Sequence, residues 1–423
     1  MKILLKNAKI LTLKNKDIVN GDLLVEGNKI VRIALKINVK ANKVIDCEGN
    51  LLMPGFKDAH AHNGMTFLRS ASDDLNLQDW LNEIVFPAEA HFKKDDIYHL
   101  TKLAYLELIS SGVTANFDMY FHLDEIRKAS LEIGMRSTLL VMPDGSDKSI
   151  KHARELLLKN KEKESLVTYL LGYHSEYTTT KSQLERISKL AHEFKIPTYT
   201  HCSETVSETE GSIKRHKLTP TQYLDSLGLF DYGGGIFHGV YVNKKDIALL
   251  KKKHVYVCTC PCSNLKLASG IAPIKELFSN GVKVAIGTDG PASNNALDMF
   301  REIYLVSTLA KVREKDPACI DAFNVLKMAC VNGANMIGVK NATYLEEGKL
   351  ADLIMIDLHR PDMQPINNII NNLVYSGNKL DVKMTMINGK ILYYNHNFYL
   401  KESVDQIYKN AQKITNRLLN YKK

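Results

Sequence analysis

Two histidines separated by a single residue are the first group in this sequence whose types and spacing could do chemistry. His60 and His62 stand in the stretch PGFKDAHAHNGM, directly after the apolar run NLLMPGF. Side chains two positions apart point to different faces of a helix but to the same face of a strand. A strand would therefore aim both imidazoles at one point, where they could pack against each other or bind a metal ion.

Further nitrogen and oxygen donors occur at or just after short apolar stretches along the chain: His174, His201, Glu204, His238 and Asp289. A single histidine near a strand end is usually a hydrogen-bonded polar residue. We interpret eight others in that way: His91, His99, His152, His192, His216, His254, His359 and His396. The first set differs because independent strands would have to place donors at one common end. Three imidazoles and a carboxylate suit Zn²⁺ or another divalent transition ion, with one position left for water.

Eight strand candidates, most of them followed by a helical pattern, could position these donors: residues 55–62, 113–118, 136–141, 167–174, 197–204, 235–240, 254–260 and 282–289. Eight units over about 235 residues predict an α/β fold of the (β/α)8 TIM-barrel type. A doubly wound open sheet is the competing arrangement, but no G-x-G-x-x-G follows the first strand. In a parallel barrel all strands end on one face, where active sites lie, so the donors should meet there.

The two ends of the chain have a different sequence pattern, in which short strand-like stretches of alternating apolar and polar residues are separated by tight turns. The stretches EGNK near residue 27 and NGK near residue 389 are hairpin signals. We expect residues 1–54 and 346–400 to pair into one small β-sandwich domain, with a metal-dependent barrel at 55–345 inserted between them. Residues 401–423 are predicted to form an amphipathic C-terminal helix.

Composition sets the class of protein and its partners. The 423 residues carry a net charge of +9, and no apolar run approaches the roughly 18 to 20 residues of a membrane span. The start MKILLKNAKILTLKNKD interrupts its apolar residues with lysine and asparagine, unlike a signal peptide. Lysines lie in mixed-sign clusters typical of solvated helices rather than of a nucleic-acid surface. We expect a cytoplasmic protein with a small-molecule substrate and no nucleic-acid or membrane partner, and leave open whether it is a homo-oligomer.

Seven cysteines, an odd number without framework spacing, also favour a reducing cytoplasm. Cys258, Cys260 and Cys262 alternate along CTCPCSN, and we predict that they are buried strand cysteines, with redox or metal roles as the alternative. The stretches HSE and PCS match part of the H-x-E…P-C-x-x-C signature of small zinc deaminases. Residue 265 is leucine where that signature needs its second cysteine, so the match fails.

Five motifs in order resemble the amidohydrolase superfamily, and within it most closely the 5-methylthioadenosine/S-adenosylhomocysteine deaminases. They are PGFKDAHAHNGMTFLRSASDDLNLQDWL, THCSETVSE, FHGVYV, PCSNLKLASGIAPI and GTDGPASNNALDMF. The resemblance covers nearly the whole chain and implies one divalent metal ion, zinc first and iron, manganese or nickel otherwise. The ligands it implies are His60, His62, His201 and Asp289. No lysine ends the fourth strand to bridge a second metal.

The resemblance also assigns chemistry to the neighbouring residues. Glu204 would be the general acid/base, His238 would steady the attacking oxygen, and Asp289 would accept a proton from the water. Such a site would deaminate an adenine nucleoside (5-methylthioadenosine, 5-deoxyadenosine, adenosine or S-adenosylhomocysteine) to its inosine analogue. The alternative is a deaminase or hydrolase of a free heterocycle such as guanine, cytosine or a triazine, while the complete donor set argues against a non-catalytic scaffold.

The substrate contacts implied by the resemblance are Trp80, Glu89 and His174, with Ser293 as a further candidate. Glu89 would accept hydrogen bonds from the ribose hydroxyls, which a free base lacks. Each has a structural alternative: Trp80 at helical spacing could be core, Glu89 could be a solvated carboxylate at a helix start, and Ser293 and Asn294 could close a turn.

Three positions depart from the pattern that the chain resembles. Val141 stands where related sequences commonly have an arginine that holds the homocysteine carboxylate, and a desolvated carboxylate needs such a cation. Thr259 and Tyr241 stand where histidine is frequent. We expect all three to flank the pocket and Val141 to disfavour S-adenosylhomocysteine. Arg136 is expected to anchor its strand.

Overall fold

The computed structural model describes residues 1–71, 73–75, 79–161 and 166–419. Within these residues the strands are β1 (Lys2–Leu11), β2 (Ile18–Glu26), β3 (Lys29–Ala34), β4 (Lys43–Asp46), β5 (Leu51–Pro54), β6 (Phe56–Ala61), β7 (Val113–Asp118), β8 (Arg136–Val141), β9 (Val167–Ser175), β10 (Thr198–Cys202), β11 (Gly234–His238), β12 (Val255–Thr259), β13 (Val284–Ile286), β14 (Leu353–Ile356), β15 (Val382–Ile387), β16 (Lys390–Tyr394) and β17 (Asn397–Phe398).

The α-helices of the same residues are α1 (Phe86–Glu89), α2 (Lys94–Ser110), α3 (Leu123–Ile133), α4 (Asp147–Leu158), α5 (Lys181–Phe194), α6 (Val206–His216), α7 (Pro220–Ser226), α8 (Lys244–Lys252), α9 (Pro261–Lys266), α10 (Ile274–Ser279), α11 (Met299–Glu314), α12 (Ala322–Lys327), α13 (Gly333–Met336), α14 (Ile369–Tyr375) and α15 (Val404–Leu419). Two π-helical segments span Trp80–Val85 and Met328–Asn332. Among these helices, none is both long and apolar enough to cross a membrane.

Strands β6 to β13 form the predicted barrel of eight parallel strands, each paired with the next. Their residues are almost entirely buried, because one face packs inside the barrel and the other against the helices. The ring closes between its first and last strands through a parallel bridge of Ala61 with Asp289 and a hydrogen bond from Asp289 N to His60 O of 2.9 Å. Closure therefore brings the first histidine pair directly beside the last acidic residue.

Both chain ends together form a second, mixed sheet that packs against the barrel. Strand β1 pairs with β2 on one edge and with β4 and β5 on the other, while β14 joins β5 to the C-terminal strands. Both predicted hairpins are confirmed, with positive φ at Gly27 (63°), Asn388 (52°) and Gly389 (73°). A Cβ atom at Gly389 would lie 2.1 Å from the carbonyl oxygen of Gly27, so the two turns pack too closely for a side chain there.

Helix α15 confirms the predicted C-terminal helix over Val404–Leu419, and residues 420–423 lie outside the described residues. It packs on α2, where Arg417 pairs with Asp96 and donates to the carbonyl oxygen of His91 at 3.1 Å. The predicted division of the chain into four segments stays a prediction.

Candidate active site

The donors singled out in the sequence meet at the end of the barrel where the strands finish. His60 and His62 come from the end of β6, His201 from β10, His238 from the end of β11, and Asp289 follows β13. Four of them are buried to 6% exposure or less, with His62 slightly more open. Strands that are distant in sequence therefore supply one compact group.

Distances within this group are short. His60 Nε2 lies 3.1 Å from His201 Nε2 and 3.4 Å from Asp289 Oδ1. His62 Nε2 lies 3.2 Å from the same oxygen. One donor atom each from His60, His201, His238 and Asp289 lie within 4.8 Å of one another. His238 thus stands as close as the residues that the resemblance implies as ligands.

Neighbouring acceptors fix which nitrogen of each ring carries the proton. A carbonyl or amide oxygen can only accept, so the ring nitrogen facing it must donate. The pairs are His62 Nδ1 with Met119 O (2.6 Å), His201 Nδ1 with His174 O (2.8 Å) and His238 Nδ1 with Asn264 Oδ1 (2.8 Å). In their neutral forms all three rings then turn an Nε2 lone pair toward the group, which is the arrangement of metal-binding histidines.

The charge state of the group favours a cation. Burial lowers the pKa of His60 to about 3, so this ring is neutral and supplies no positive charge. Burial opposes ionisation of Asp289, but hydrogen bonds with His60 and His62 outweigh it and hold the pKa of Asp289 well below its ordinary value. Converging lone pairs beside a carboxylate are the donors that a divalent transition ion prefers. The residues present therefore fit a divalent metal ion.

Glu204 stands at the edge of this group. Its Oε2 lies 3.7 Å from His238 Nε2, and burial raises the pKa of its carboxyl above the ordinary value. Glu208 holds the turn behind it, because its carboxylate accepts from Ser203 N at 2.9 Å and from Glu204 N at 2.7 Å. A carboxyl group whose pKa is raised keeps its proton to higher pH than an ordinary carboxyl group and can donate it to a substrate.

The short helix α9 braces two of the donors. Ser263 Oγ donates to Asp289 Oδ2 at 2.5 Å, and Asn264 accepts from His238. The buried Glu302 on α11 holds the start of α9 by accepting from Cys262 N at 3.1 Å. Helix α9 therefore fixes the orientation of one carboxylate and one imidazole together.

These bracing residues were missed by the sequence argument. Ser263, Asn264 and Glu208 lie inside the motifs PCSNLKLASGIAPI and THCSETVSE. The motifs therefore included these residues but did not indicate what each one does. Glu302 lies outside the motifs, and no sequence pattern could indicate its role, because its contact with Cys262 depends on how α11 packs against α9.

A cavity of about 720 Å³ opens beside the group and is lined by every predicted substrate contact: Trp80, Glu89, His174 and Ser293. Trp80 is 5% exposed and packs in the hydrophobic core as well as lining the cavity, and its contact with substrate stays a prediction. Ser293 Oγ donates to Asp289 Oδ2 at 3.0 Å. Asn294 closes the turn by donating to Thr288 O at 2.7 Å.

Glu89 does not sit at a helix start in solvent, and that interpretation is wrong. The π-helical segment Trp80–Val85 runs directly into α1, so Glu89 ends the helix and faces the cavity. Tyr120 Oη donates to Glu89 Oε1 at 2.5 Å, and burial raises the pKa of Glu89 to about 7. Across the cavity, burial lowers the pKa of His174 to about 4, so that ring is neutral.

Of the three positions that depart from the pattern of related sequences, one lines this cavity. Val141 does, whereas Thr259 lines a separate small crevice with Pro261 and Leu305, and Tyr241 lies beside Gly270. The expectation that Thr259 and Tyr241 flank the pocket is therefore wrong. Cys258, Cys260 and Cys262 are buried as predicted, but the prediction that all three lie on one strand is wrong, because β12 ends at Thr259 and Cys262 lies in α9. Arg136 anchors its strand through Asp352.

Comparison with known proteins identifies the family of this chain. Residues 51–392 match the profile of the amidohydrolase family. The chain is 40% identical over 399 residues to a 5-methylthioadenosine/S-adenosylhomocysteine deaminase of Thermococcus onnurineus, covering 93% of this chain and 94% of that one. It is 36% identical over 426 residues to a 5'-deoxyadenosine deaminase of Methanobrevibacter smithii, covering 98% of each.

A solved structure has the same fold. An adenosine deaminase from Xanthomonas campestris with bound zinc superposes with a TM-score of 0.93 and 29% identity, covering 98% of each chain. The match of the family profile and the identity to these relatives both extend over most of the sequence. The chain belongs to the amidohydrolase family.

Proposed function

We propose that this chain is a metal-dependent hydrolytic deaminase of an adenine nucleoside, the class that includes 5-methylthioadenosine, 5-deoxyadenosine, adenosine and S-adenosylhomocysteine. The products are the inosine analogue and ammonia. The observation that carries the proposal is that Glu204 lies beside the convergent donors in a cavity that also contains Glu89. Relatives named as deaminases of such nucleosides support it.

His60, His62, His201 and Asp289 would hold the metal ion, which we propose to be zinc, with iron, manganese or nickel as alternatives. A set of imidazoles and one carboxylate suits zinc, and the related structure from Xanthomonas campestris contains it. When bound, such an ion lowers the pKa of a water molecule and makes it nucleophilic at neutral pH.

The remaining residues would move the protons of the reaction. Glu204, whose pKa is raised by burial, donates a proton to the ring nitrogen of the base as water attacks the neighbouring carbon. Asp289 accepts the proton that the attacking water loses, and His238 hydrogen-bonds the attacking oxygen. The exocyclic amino group then takes up the proton held by Asp289, the C–N bond breaks and ammonia leaves, while the new hydroxyl group returns a proton to Glu204 as the carbonyl forms.

Glu89 would identify the substrate as a nucleoside by accepting hydrogen bonds from the ribose hydroxyls. Its hydrogen bond from Tyr120 orients the carboxylate. Trp80 would pack against the base or ribose, His174 would reach the purine or ribose from β9 beside His201, and Ser293 would contact the base while holding Asp289.

The test is the ultraviolet spectrum of 5-methylthioadenosine incubated with metal-loaded protein, beside a chelator-treated control. We expect a metal-dependent change from the adenine to the hypoxanthine chromophore. No change with any of the nucleosides, when metal content is verified, would contradict the proposed function. Loss of Glu89 should weaken the reaction with nucleosides, whereas an enzyme of free bases such as guanine would tolerate Glu89→Ala.

A further inference from the structure

The cavity extends well beyond the metal-binding group, toward a sector of the barrel that the proposed chemistry does not use. The donors come from β6, β10, β11 and the end of β13. The opposite wall comes from the loop after β7, the end of β8 and the helix α4. We call this wall the tail arm, and its apolar residues are Leu123, Val141, Met142, Pro143, Ala153 and Leu156.

The direction of a bound nucleoside follows from the residues that must touch it. The base has to reach Glu204, and the ribose has to reach Glu89, so both are held at the metal side and the β6 side of the cavity. Neither of these residues binds the 5′-substituent of the nucleoside. The tail arm is the part of the cavity that the base and the ribose do not occupy, so the 5′-substituent would lie there.

The charges around the tail arm are unfavourable for an anion. Among the described residues that line the cavity, Lys94 is the one lysine or arginine, and its Nζ lies 3.2 Å from Glu125. Two histidines, His122 and His152, also line the cavity on this side, beside the carboxylates. Asp124 and Asp144 also line the cavity on this side. A carboxylate entering the arm would lose water, find its cation already paired, and meet like charges.

We propose that the tail arm is a subsite for an uncharged, apolar 5′-substituent longer than a methylthio group, and that it discriminates against 5′-substituents carrying a carboxylate. This inference rests on the proposed function, because it assumes that adenine nucleosides are deaminated at the metal side. It adds that Val141 and its apolar neighbours set the substrate class.

The magnitude of the preference follows from burial. Each methylene moved from water into an apolar wall contributes enough transfer free energy for about a fourfold gain in kcat/KM. We therefore expect 5′-propylthioadenosine to exceed 5-methylthioadenosine by about tenfold, since the two added methylenes are incompletely enclosed. S-adenosylhomocysteine, with its carboxylate, should fall at least about tenfold below 5-methylthioadenosine.

The experiment measures kcat/KM of the metal-loaded protein for four nucleosides that differ only in the 5′-substituent: methylthio, propylthio, 3-aminopropylthio and homocysteinyl. The expected order places propylthio first and homocysteinyl last. Equal values for methylthio and homocysteinyl substrates would overturn the inference. An aminopropylthio substrate faster than propylthio would overturn it too, because the rim carboxylates would then dominate over the apolar wall.

A charge-introducing variant sharpens the test. Val141→Arg places a cation in the tail arm and should raise the ratio of homocysteinyl to methylthio kcat/KM by at least about tenfold. Val312→Arg, on an exposed helix surface where Val312 is 69% accessible, is the matched control and should leave that ratio unchanged. If Val141→Arg does not fold, the four-substrate series on the unmodified protein still decides.

Failure of the proposed function and failure of the tail-arm inference give different experimental results. If no nucleoside is deaminated by metal-loaded protein, the proposed function is wrong, and the tail-arm inference is overturned with it because it assumes that reaction. If 5-methylthioadenosine is deaminated but the propylthio substrate is no faster, the proposed function stands and the tail-arm inference is wrong.

Discussion

The two ends of the barrel bury charged and polar groups in opposite ways. At the end where the strands begin, Lys57 Nζ donates to Gly55 O at 2.7 Å and to Thr114 Oγ1 at 2.8 Å. In the same layer, Arg136 binds Asp352 through two hydrogen bonds of 2.6 and 3.1 Å. Each buried cation there is matched by acceptors.

At the end where the strands finish, buried groups face one another without such matching. His60 and His201 turn nitrogen atoms toward each other at 3.1 Å beside Asp289. The backbone is also less regular there, since His238 and Asp289 have φ angles of 71° and 61°. Residues other than glycine rarely adopt this left-handed region. The first end is arranged for stability and the second for binding a cation and reacting.

The largest effect should come from removing the proton donor at the reactive end. Glu204→Gln keeps the shape of the side chain but cannot transfer a proton, so kcat for 5-methylthioadenosine should fall by about 10² to 10⁴. Metal content and melting temperature should stay near those of the unmodified protein. A variant with nearly full kcat would show that Glu204 is not the acid.

The opposite end should respond in stability rather than in activity. Arg136→Met leaves the buried carboxylate of Asp352 without its cation, with the hydrogen bond from Asn388 N at 2.7 Å remaining. This change should lower the free energy of unfolding by about 3 to 5 kcal/mol. Urea unfolding measures this loss, and kcat per folded molecule should be unchanged. The double variant Arg136→Met with Asp352→Leu should lose less than the single one, and an equal or greater loss would contradict the pairing argument.

An intermediate effect should come from the bracing helix α9. Asn264→Ala removes the acceptor that fixes the ring of His238, and loss of such an outer partner costs about 10 to 100-fold in activity or metal affinity. Asn160→Ala is the matched control, because Asn160 braces the backbone of Tyr169 away from the cavity. Asn160→Ala should change stability without changing kcat/KM, and equal losses in both variants would remove the special role of Asn264.

Sequence patterns predicted the parts of this molecule that depend on local spacing. The strands β7 and β8 have the predicted bounds because a short stretch containing β-branched and other apolar residues, placed directly before a helical pattern, is a local signal. The donors could be grouped because a parallel barrel sends all strand ends to one face, which is a property of the topology and not of any contact.

What the sequence could not predict depends on contacts between distant segments. The position of Glu89 required knowing that a π-helical segment precedes α1 and shifts its end toward Tyr120. The bracing by Ser263 required knowing that α9 packs over Asp289. Thr259 was expected at the pocket but faces a separate crevice, because successive strand residues point to opposite sides.

The smallest effect, and the one that tests the matched end most directly, is a pH dependence at Lys57. Burial lowers the pKa of the Lys57 ammonium to about 8 from an ordinary 10.5. Between these values the unfolded chain binds more protons than the folded protein, so the contribution of this residue to stability rises with pH across that window. Below about pH 8 the cost of burying the charge is fully present.

Lys57→Met removes that contribution while keeping an unbranched side chain. The free energy of unfolding of the unmodified protein, relative to that of the variant, should therefore increase by about 1 to 2 kcal/mol between pH 7.5 and 9.5. Urea unfolding at the two pH values measures the difference, with exposed Lys36→Met as control. Parallel pH profiles would mean that the carbonyl of Gly55 and the hydroxyl of Thr114 fully offset the desolvation of the ammonium, and that the matched end of the barrel buries its lysine without cost.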